Sequence, residues 1–410
     1  MDGHYDALET QDPEERERAL FRRLPAQIEH ARAHAPYYAR VLASVAAGEI
    51  ASRASLAKLP ITRKSDLPEL QKAAPPFGGL AATPAAGLAR VFMSPGPIFD
   101  PEGRHPDYWH TARTLFAAGF RAGDVALNCF SYHLTPAGSM METGLHHLGC
   151  AVIPGGVGQT ELQAQAIAQL APSGYVGTPS FLKLIVEKCD ELGLASSSLK
   201  RALVSGEAFL PPVRAFLAAR GIEAFQAYGT ADLGMVAYET PAREGLVVNE
   251  EVIVEIVRPG TGEPVAEGEV GEVVVTPFNR DYPLVRFATG DLSAVLPGTS
   301  PCGRTNMRIK GWMGRADQAT KVRGMFVHPH QVAEVLRRHD LRRGRLVVEN
   351  EAGEDRMTLR VERDAGDAAF VAALEATVRE VMKVRGSVVC AAPGSLPNDG
   401  KVIEDTRKYA

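Results

Sequence analysis

Y-P-L-V-R-F-A-T-G-D-L-S, residues 282–293, and G-R-A-D-Q-A-T-K-V-R-G, residues 314–324, bracket the stretch on which the reading of this chain turns. In the first, an apolar strand-like run ends on the turn Thr289-Gly290-Asp291. In the second, the turn Gly314-Arg315-Ala316-Asp317 leads into a basic strand. Two carboxylates on strand-end turns, with an arginine beside the second, suit a sugar diol. A carboxylate accepts two hydroxyl hydrogen bonds, and a guanidinium donates in a fixed fork. Either turn alone also fits an ordinary polar turn, where Asp and Gly are common. The composition changes after the second turn, which sets the expected domains at 1–316 and 317–410.

Upstream, strand-like and helical runs alternate. Asp124–Phe130 and Ala151–Pro154 read as strands, with helices over about 109–119, 138–148 and 160–171. This spacing predicts parallel α/β layering. Three further strand ends carry small or polar residues: Gly177-Thr178, Ser205-Gly206-Glu207 and Tyr228-Gly229-Thr230. Ligands of such sheets sit outside the carboxyl ends of the strands, so these ends are the expected site of the first half. Each also fits a normal strand-to-helix turn. Arg90–Pro97 reads as a short strand entering a tight turn. With one Gly, one Ser and two prolines that donate no N–H, it is a poor phosphate cradle. Nearer the start, two helices break near Pro36, and Arg63 and Lys64 are expected on a solvated face. Leu246–Val295 is expected to form an antiparallel β subdomain. After residue 324 comes a β-α-β-β-α-β lobe with a polar tail. The fold class is therefore α/β: a large domain of parallel layers plus a β subdomain, and a small, mobile α+β domain.

The bounds exclude several classes. The chain has 410 residues, 45% of them hydrophobic, and a formal net charge of -4. No basic patch argues for nucleic acid. No run approaches the roughly 18 apolar residues of a membrane span. No secretory signal follows Met1, and five scattered Cys without C-x-x-C spacing argue for reduced thiols in the cytoplasm.

Ten short motifs, in order, carry a resemblance: H-A-R-A-H-A-P-Y-Y (30–38), L-P-I-T-R-K-S-D-L (59–67), G-T-P-S-F-L (177–182), S-G-E-A (205–208), A-Y-G-T-A-D (227–232), V-R-F-A-T-G-D (285–291), C-G-R-T (302–305), G-R-A-D (314–317), V-R-G-M-F-V-H-P-H-Q-V (322–332) and G-S-L-P-N-D-G-K (394–401). Together they make the whole chain resemble the phenylacetate–CoA ligase group of the adenylate-forming enzymes. The resemblance implies an ATP-dependent ligase. A carboxylate attacks the α-phosphorus of ATP, and coenzyme A then displaces AMP from the acyl-adenylate. It implies ATP/AMP, Mg2+ and coenzyme A as cofactors, a small carboxylic acid as partner, and a homodimer.

Residue by residue, the resemblance makes Asp291 the ribose ligand, joined by Arg315. It places Ser205, Gly206, Glu207 and Ala208, with Ala227, Tyr228 and Gly229, around adenine and the carboxylate. Thr230 would touch the α-phosphate, Asp232 would hold magnesium, and Lys401 would be the adenylation lysine. Tyr132, His133, Thr135, Pro136 and Gly138 would line the acyl pocket. Asp317 would be the hinge, and Arg323 and Gly324 would help form the coenzyme A tunnel.

Two departures stand out against that pattern. The phosphate loop, with Ser94 and Gly96 its main survivors, runs Met93-Ser94-Pro95-Gly96-Pro97-Ile98-Phe99-Asp100 and lacks the usual hydroxyls. This motivates an alternative: a degenerate relative that binds AMP, acyl-adenylate or coenzyme A without using ATP. Where some relatives hold a structural zinc, this chain has Thr240, Val247, Ser300 and Cys302, so no zinc site is expected.

Overall fold

The computed structural model describes residues 3–94, 96–316, 320–322, 325–351, 354–364 and 366–407. The chain divides into two units. The first comprises Met1–Val254, Val275–Phe287 and Leu296–Trp312; the second comprises Glu255–Val274, Ala288–Val295 and Met313–Ala410.

In the first unit, Asp12 caps the helix Pro13–His34, its carboxylate accepting from the amides of Glu14 and Glu15. A proline at the first helical position costs no hydrogen bond there. Leu20, Phe21, Leu24, Ile28 and Ala31 bury one face at helical spacing. A second helix, Pro36–Val41, follows the break at Ala35–Pro36. Its Tyr38 hydroxyl accepts from the amide of Val285 and bonds the Thr62 hydroxyl, joining three segments far apart in sequence.

The nine-stranded sheet is built around five parallel strands. Their order is Ala151–Ile153, Val125–Asn128, Gly174–Gly177, Arg201–Val204 and Glu223–Thr230. Strand order reverses between Val125–Asn128 and Gly174–Gly177, the switch point at which open α/β sheets form a crevice. The helix Pro179–Leu192 buries Leu182, Ile185, Val186 and Cys189 and ends on Gly193 in the left-handed conformation.

Here the β subdomain differs from its expectation. Leu246–Val248 is not part of a separate subdomain but pairs with Gly234–Tyr238 in the large sheet. Gly234–Tyr238 in turn folds back antiparallel on Glu223–Thr230, with a register shift at Tyr228/Gly229. Gly234 has φ 75°, and a Cβ there would fall 2.5 Å from the Trp109 carbonyl, so only glycine allows the reversal. The remaining strands, Val252–Val257, Gly271–Pro277 and Phe287–Ser293, form a four-stranded sheet with Thr62–Arg63. A hairpin of Arg90–Ser94 and Ile98–Glu102 lies in the first unit.

Arg286 anchors the connector before that short edge strand. It is 1% exposed with φ 46°, and its guanidinium donates to the carbonyls of Ala57 at 2.8 Å and Leu59 at 2.6 Å. Arg286→Met is expected to destabilise the fold by about 3 kcal/mol, because both carbonyls lose that donor inside the protein. A urea melt measures it; an unchanged midpoint refutes the role.

In the second unit, Gly344–Glu351 and Glu354–Glu362 form an antiparallel pair. Ser387–Ala391 and Ile403–Asp405 flank them in parallel. The tail is thus not all loop: residues 403–405 close the sheet because Ile403 is buried beside Leu346. Helices Pro329–Arg338 and Ala368–Met382 bury Val332, Val335, Leu374 and Val378 in the same core.

Candidate functional site

The sheet of the first unit brings one set of expected residues to the carboxyl ends of its strands. Ser205 follows Arg201–Val204, and its hydroxyl donates to the Ala227 carbonyl at 2.8 Å, locking two neighbouring strand ends together. Gly206 takes φ 84°, and Glu207 accepts from the amide of Ser180 at 2.7 Å. Ala208 is exposed beside them. Thr230 accepts from the amide of Leu233 at 3.2 Å, forming the turn that carries Asp232.

The expected acyl-pocket residues start at the switch point, where Val125–Asn128 ends. Asn128 is fully buried and donates to both the Tyr132 hydroxyl and the Gly138 carbonyl, each at 2.8 Å. The Tyr132 hydroxyl donates onward to Glu142 at 2.7 Å. Thr135 donates to the Ser131 carbonyl at 3.4 Å, Pro136 is buried and His133 is exposed. A Cβ at Gly138 would lie 2.8 Å from the Ser131 carbonyl. The amide of Met93 donates to the Leu134 carbonyl at 2.9 Å, so the acyl loop and the hairpin of the phosphate loop are neighbours.

That hairpin holds its own hydroxyl inward. Ser94 is buried and donates to the Ile98 carbonyl at 3.3 Å, while Gly96 is exposed at the tip. The second strand of the hairpin was not anticipated, because Pro97 and Pro101 read against a strand. In a two-stranded ribbon alternate backbone nitrogens face no partner strand, as the Phe99 amide does in turning to Gln71, so a proline at such a position is tolerated. Gln71 clamps this strand, donating to the Phe99 carbonyl and accepting from its amide, both at 2.8 Å.

Two charged residues escaped the sequence reading. Lys64 is not on a solvated face: its ammonium pairs with Asp232 at 2.5 Å, and the Asp232 side chain is fully buried. Asp100 is 0% exposed and neither carboxylate oxygen has a hydrogen-bond partner. Burial first, then the neighbouring Asp232 carboxylate, push its pKa up to about 8, against the pull of Ser94 and Lys64.

In the second unit, Asp291 and Arg315 meet. They form a β-bridge, and the guanidinium donates to Asp291 Oδ1 at 3.0 Å. Backbone bonds from Leu292 to Gly314 and from Ala316 to Gly290 hold the two turns side by side. Thr289 supports them, accepting from the amide of Asp291 and donating to the Val273 carbonyl. Lys401 sits in the tail loop. Its amide donates to Asp399, which pairs with Arg345. Gly400 has φ 69°, and a Cβ there would lie 2.6 Å from Val270 and 3.1 Å from Leu292. The loop therefore rests against the strand that carries Asp291. Lys401 lines a cleft of about 650 Å³ with Arg258, Arg343 and Arg345. Those three guanidiniums are paired with Glu269, Glu362 and Asp399. The Lys401 ammonium has no partner among the described residues. Asp317, Arg323 and Gly324, the expected hinge and tunnel residues, lie outside the described residues.

At the place of the zinc in some relatives, Cys302 has a different environment. Its sulfur lies 3.1 Å from the Ser300 hydroxyl and accepts from the Arg304 guanidinium at 3.5 Å. Burial alone would raise this thiol. Hydrogen bonds from Ser300, Thr240 and Arg304 outweigh it and bring it down to about 7. Cys129 and Cys150 are pushed up to about 12 and about 11, chiefly by burial, and Cys189 is raised for the same reason. The thiolate is the nucleophile. At pH 7.5 Cys302 is therefore expected to be carbamidomethylated ahead of those three cysteines. Peptide mapping after brief iodoacetamide treatment checks the order, and equal labelling contradicts it.

Comparison with known proteins gives concordant matches. Residues 104–277 match a family model described as AMP-binding enzyme. The chain is 32% identical over 351 residues to a phenylacetate–coenzyme A ligase of Aromatoleum evansii, covering 82% of this chain and 78% of that protein. It is 32% identical over 349 residues to the phenylacetate–coenzyme A ligase of Escherichia coli K12, covering 81% and 78%. Among solved structures, 2-hydroxyisobutyryl-CoA ligase in its postadenylation state with R3-HIB-AMP superposes with a TM-score of 0.73. The sequences are 26% identical, and the match covers 97% of this chain and 91% of that one. The same enzyme with 2-HIB-AMP and CoA in the thioesterification state gives 0.71 at 26% identity, covering 98% and 92%. No described helix is long and apolar enough to cross a membrane.

Proposed function

The chain belongs to the phenylacetate–coenzyme A ligase family of AMP-binding enzymes, and from that membership we propose how its residues join a carboxylic acid to coenzyme A. It is an ATP-dependent acyl-CoA ligase that works through an acyl-adenylate. A carboxylate oxygen bonds to the α-phosphorus of ATP and pyrophosphate leaves. The sulfur of coenzyme A then bonds to the acyl carbon and AMP leaves. We take the acid to be aryl or closely related, as the names of the relatives suggest. The alternative of a relative that has lost ATP use is not favoured by these matches.

The observation that carries the reading of the site is the clamped pair Asp291–Arg315. An ionised carboxylate held by a guanidinium keeps acceptor capacity for the two ribose hydroxyls. Ser205–Ala208 and Ala227–Gly229 surround adenine and the carboxylate in this reading. Thr230 offers a hydroxyl to the α-phosphate. Lys401 offers a compact positive charge where negative charge builds during displacement at phosphorus. Tyr132 to Gly138, fixed by Asn128, shape the acid pocket. Magnesium fits Asp232, whose Oδ1 is buried without a hydrogen-bond partner. Bound there, it would neutralise phosphate charge. Asp317 as hinge, and Arg323 and Gly324 as tunnel residues, rest on the resemblance.

ATP–pyrophosphate exchange with a panel of aryl and alkyl acids tests the reading, followed by capture with coenzyme A. Acid-dependent exchange and a thioester product are expected; no exchange with any acid would overturn it. We further place the enzyme in the cytoplasm, consistent with five free cysteines. Sedimentation of the purified chain tests the homodimer that the resemblance implies.

A further inference from the structure

We infer that Arg345 is a positioning residue for adenylation: through Asp399 it fixes the backbone of Lys401, so that the ammonium meets the reacting phosphate already oriented. The inference rests on the role given to Lys401 above and adds the residues that hold it. P-N-D-G-K, residues 397–401, has the composition of a turn, and a turn by itself leaves a lysine loosely placed. Three anchors prevent that here.

The first is Arg345 itself, on the strand Gly344–Glu351 and 4% exposed. Its Nη2 donates to the Pro397 carbonyl at 3.2 Å and to Asp399 Oδ1, while Nη1 donates to Glu404 at 3.1 Å. The same Asp399 oxygen accepts from the amide of Lys401 at 3.1 Å. One carboxylate thus ties a guanidinium rooted in the sheet to the backbone nitrogen of the lysine. The second anchor lies just downstream. The amide of Leu346 donates to the Val402 carbonyl at 2.8 Å, and Ile403–Asp405 runs parallel to the Arg345 strand. The third lies on the other side of the loop. Asn398 Oδ1 accepts from the amide of Val270 at 3.2 Å, beside the close approach of Gly400 to Val270.

Lys401 is therefore held at its root, while its exposed ammonium has no partner among the described residues. A catalytic charge needs that division. Fixing the root removes orientational entropy from the barrier, and a free tip can still find a phosphate oxygen. The lobe's core does not call for Arg345. Leu346 and Val348 pack that core, and Arg345 alternates with them onto the opposite face of the strand. A planar fork suits the task, because it serves several acceptors at once in a fixed geometry.

The two half-reactions, measured separately on the full chain, test this. Asp399→Ala should slow ATP–pyrophosphate exchange by about tenfold or more, since a small misplacement of a catalytic group is costly. Thioester formation from a chemically made acyl-adenylate should keep the wild-type rate. Asp399→Asn retains an oxygen for the Lys401 amide and the guanidinium, and should recover most of the exchange. Asp399→Ala combined with Lys401→Ala should be no slower than Lys401→Ala alone, because the clamp then has nothing to position. Wild-type exchange by Asp399→Ala, an equal fall in both half-reactions, or a double variant slower than Lys401→Ala overturns the inference. Should Asp399→Ala fail to fold, Arg345→Lys decides. Its compact ammonium cannot span the acceptors, so exchange should fall about tenfold with thioester formation intact, and unchanged exchange overturns the inference. Full exchange by Lys401→Ala would strike the role of the lysine, and the clamp with it. A slow Lys401→Ala beside a normal Asp399→Ala strikes the clamp alone.

Discussion

Lys401→Ala is expected to slow ATP–pyrophosphate exchange by about 10²–10³-fold, the usual loss when one pre-placed charge or donor is removed from a developing anion. Thioester formation from a chemically made acyl-adenylate should be unchanged, because there the phosphorus is no longer attacked. The split between half-reactions is the diagnostic. Stability should not move: the side chain is exposed and has no partner among the described residues. Lys401→Arg should recover little, since a planar guanidinium is not a substitute for a compact ammonium at one phosphate oxygen. Equal loss in both half-reactions would assign Lys401 to general binding instead, and no loss would remove it from the chemistry.

Asp291→Ala is expected to reduce kcat/KM for ATP by about 10²-fold, mostly through KM. It removes both acceptors for a diol and leaves the Arg315 guanidinium without that carboxylate. Asp291→Asn keeps one acceptor and should fall between. The sharper check uses 2′-deoxy-ATP. Wild type should discriminate against it, and Asp291→Ala should not, because the group that senses the hydroxyl is gone. If the alanine variant keeps both its KM for ATP and that discrimination, the carboxylate does not read the sugar.

Much of this architecture is written in short-range pattern. Pro179, then Leu182, Ile185, Val186 and Cys189 at helical spacing, predicts a helix that the fold forms over Pro179–Leu192. The pairing of Asp291 with Arg315 is also close to the surface of the text, since two turns 24 residues apart need only one β-bridge to meet. Other features were hidden for physical reasons. Gly234–Tyr238 starts on the last residue of T-A-D-L-G, which reads as a turn, and it becomes a strand only because Gly234 can reverse the chain against Trp109. Ile98–Glu102 contains a proline, and its pairing with Arg90–Ser94 is decided by the hairpin rather than by propensity. Lys64 reads as one more surface cation, because its partner Asp232 lies 168 residues away and no local periodicity encodes that contact. Asp100 in turn stands in a run that lost its hydroxyls, so its burial becomes visible only in three dimensions.

Asn128 bears on any effort to change which acid is accepted. Its amide fastens both ends of the loop from Tyr132 to Gly138, while His133 and Leu134 stand in solvent between them. A variant library aimed at new selectivity should therefore randomise the exposed middle of that loop and leave Asn128 invariant. Altering the fastener would scramble the whole lining at once, and gains from individual positions would be lost in the noise of a collapsed scaffold.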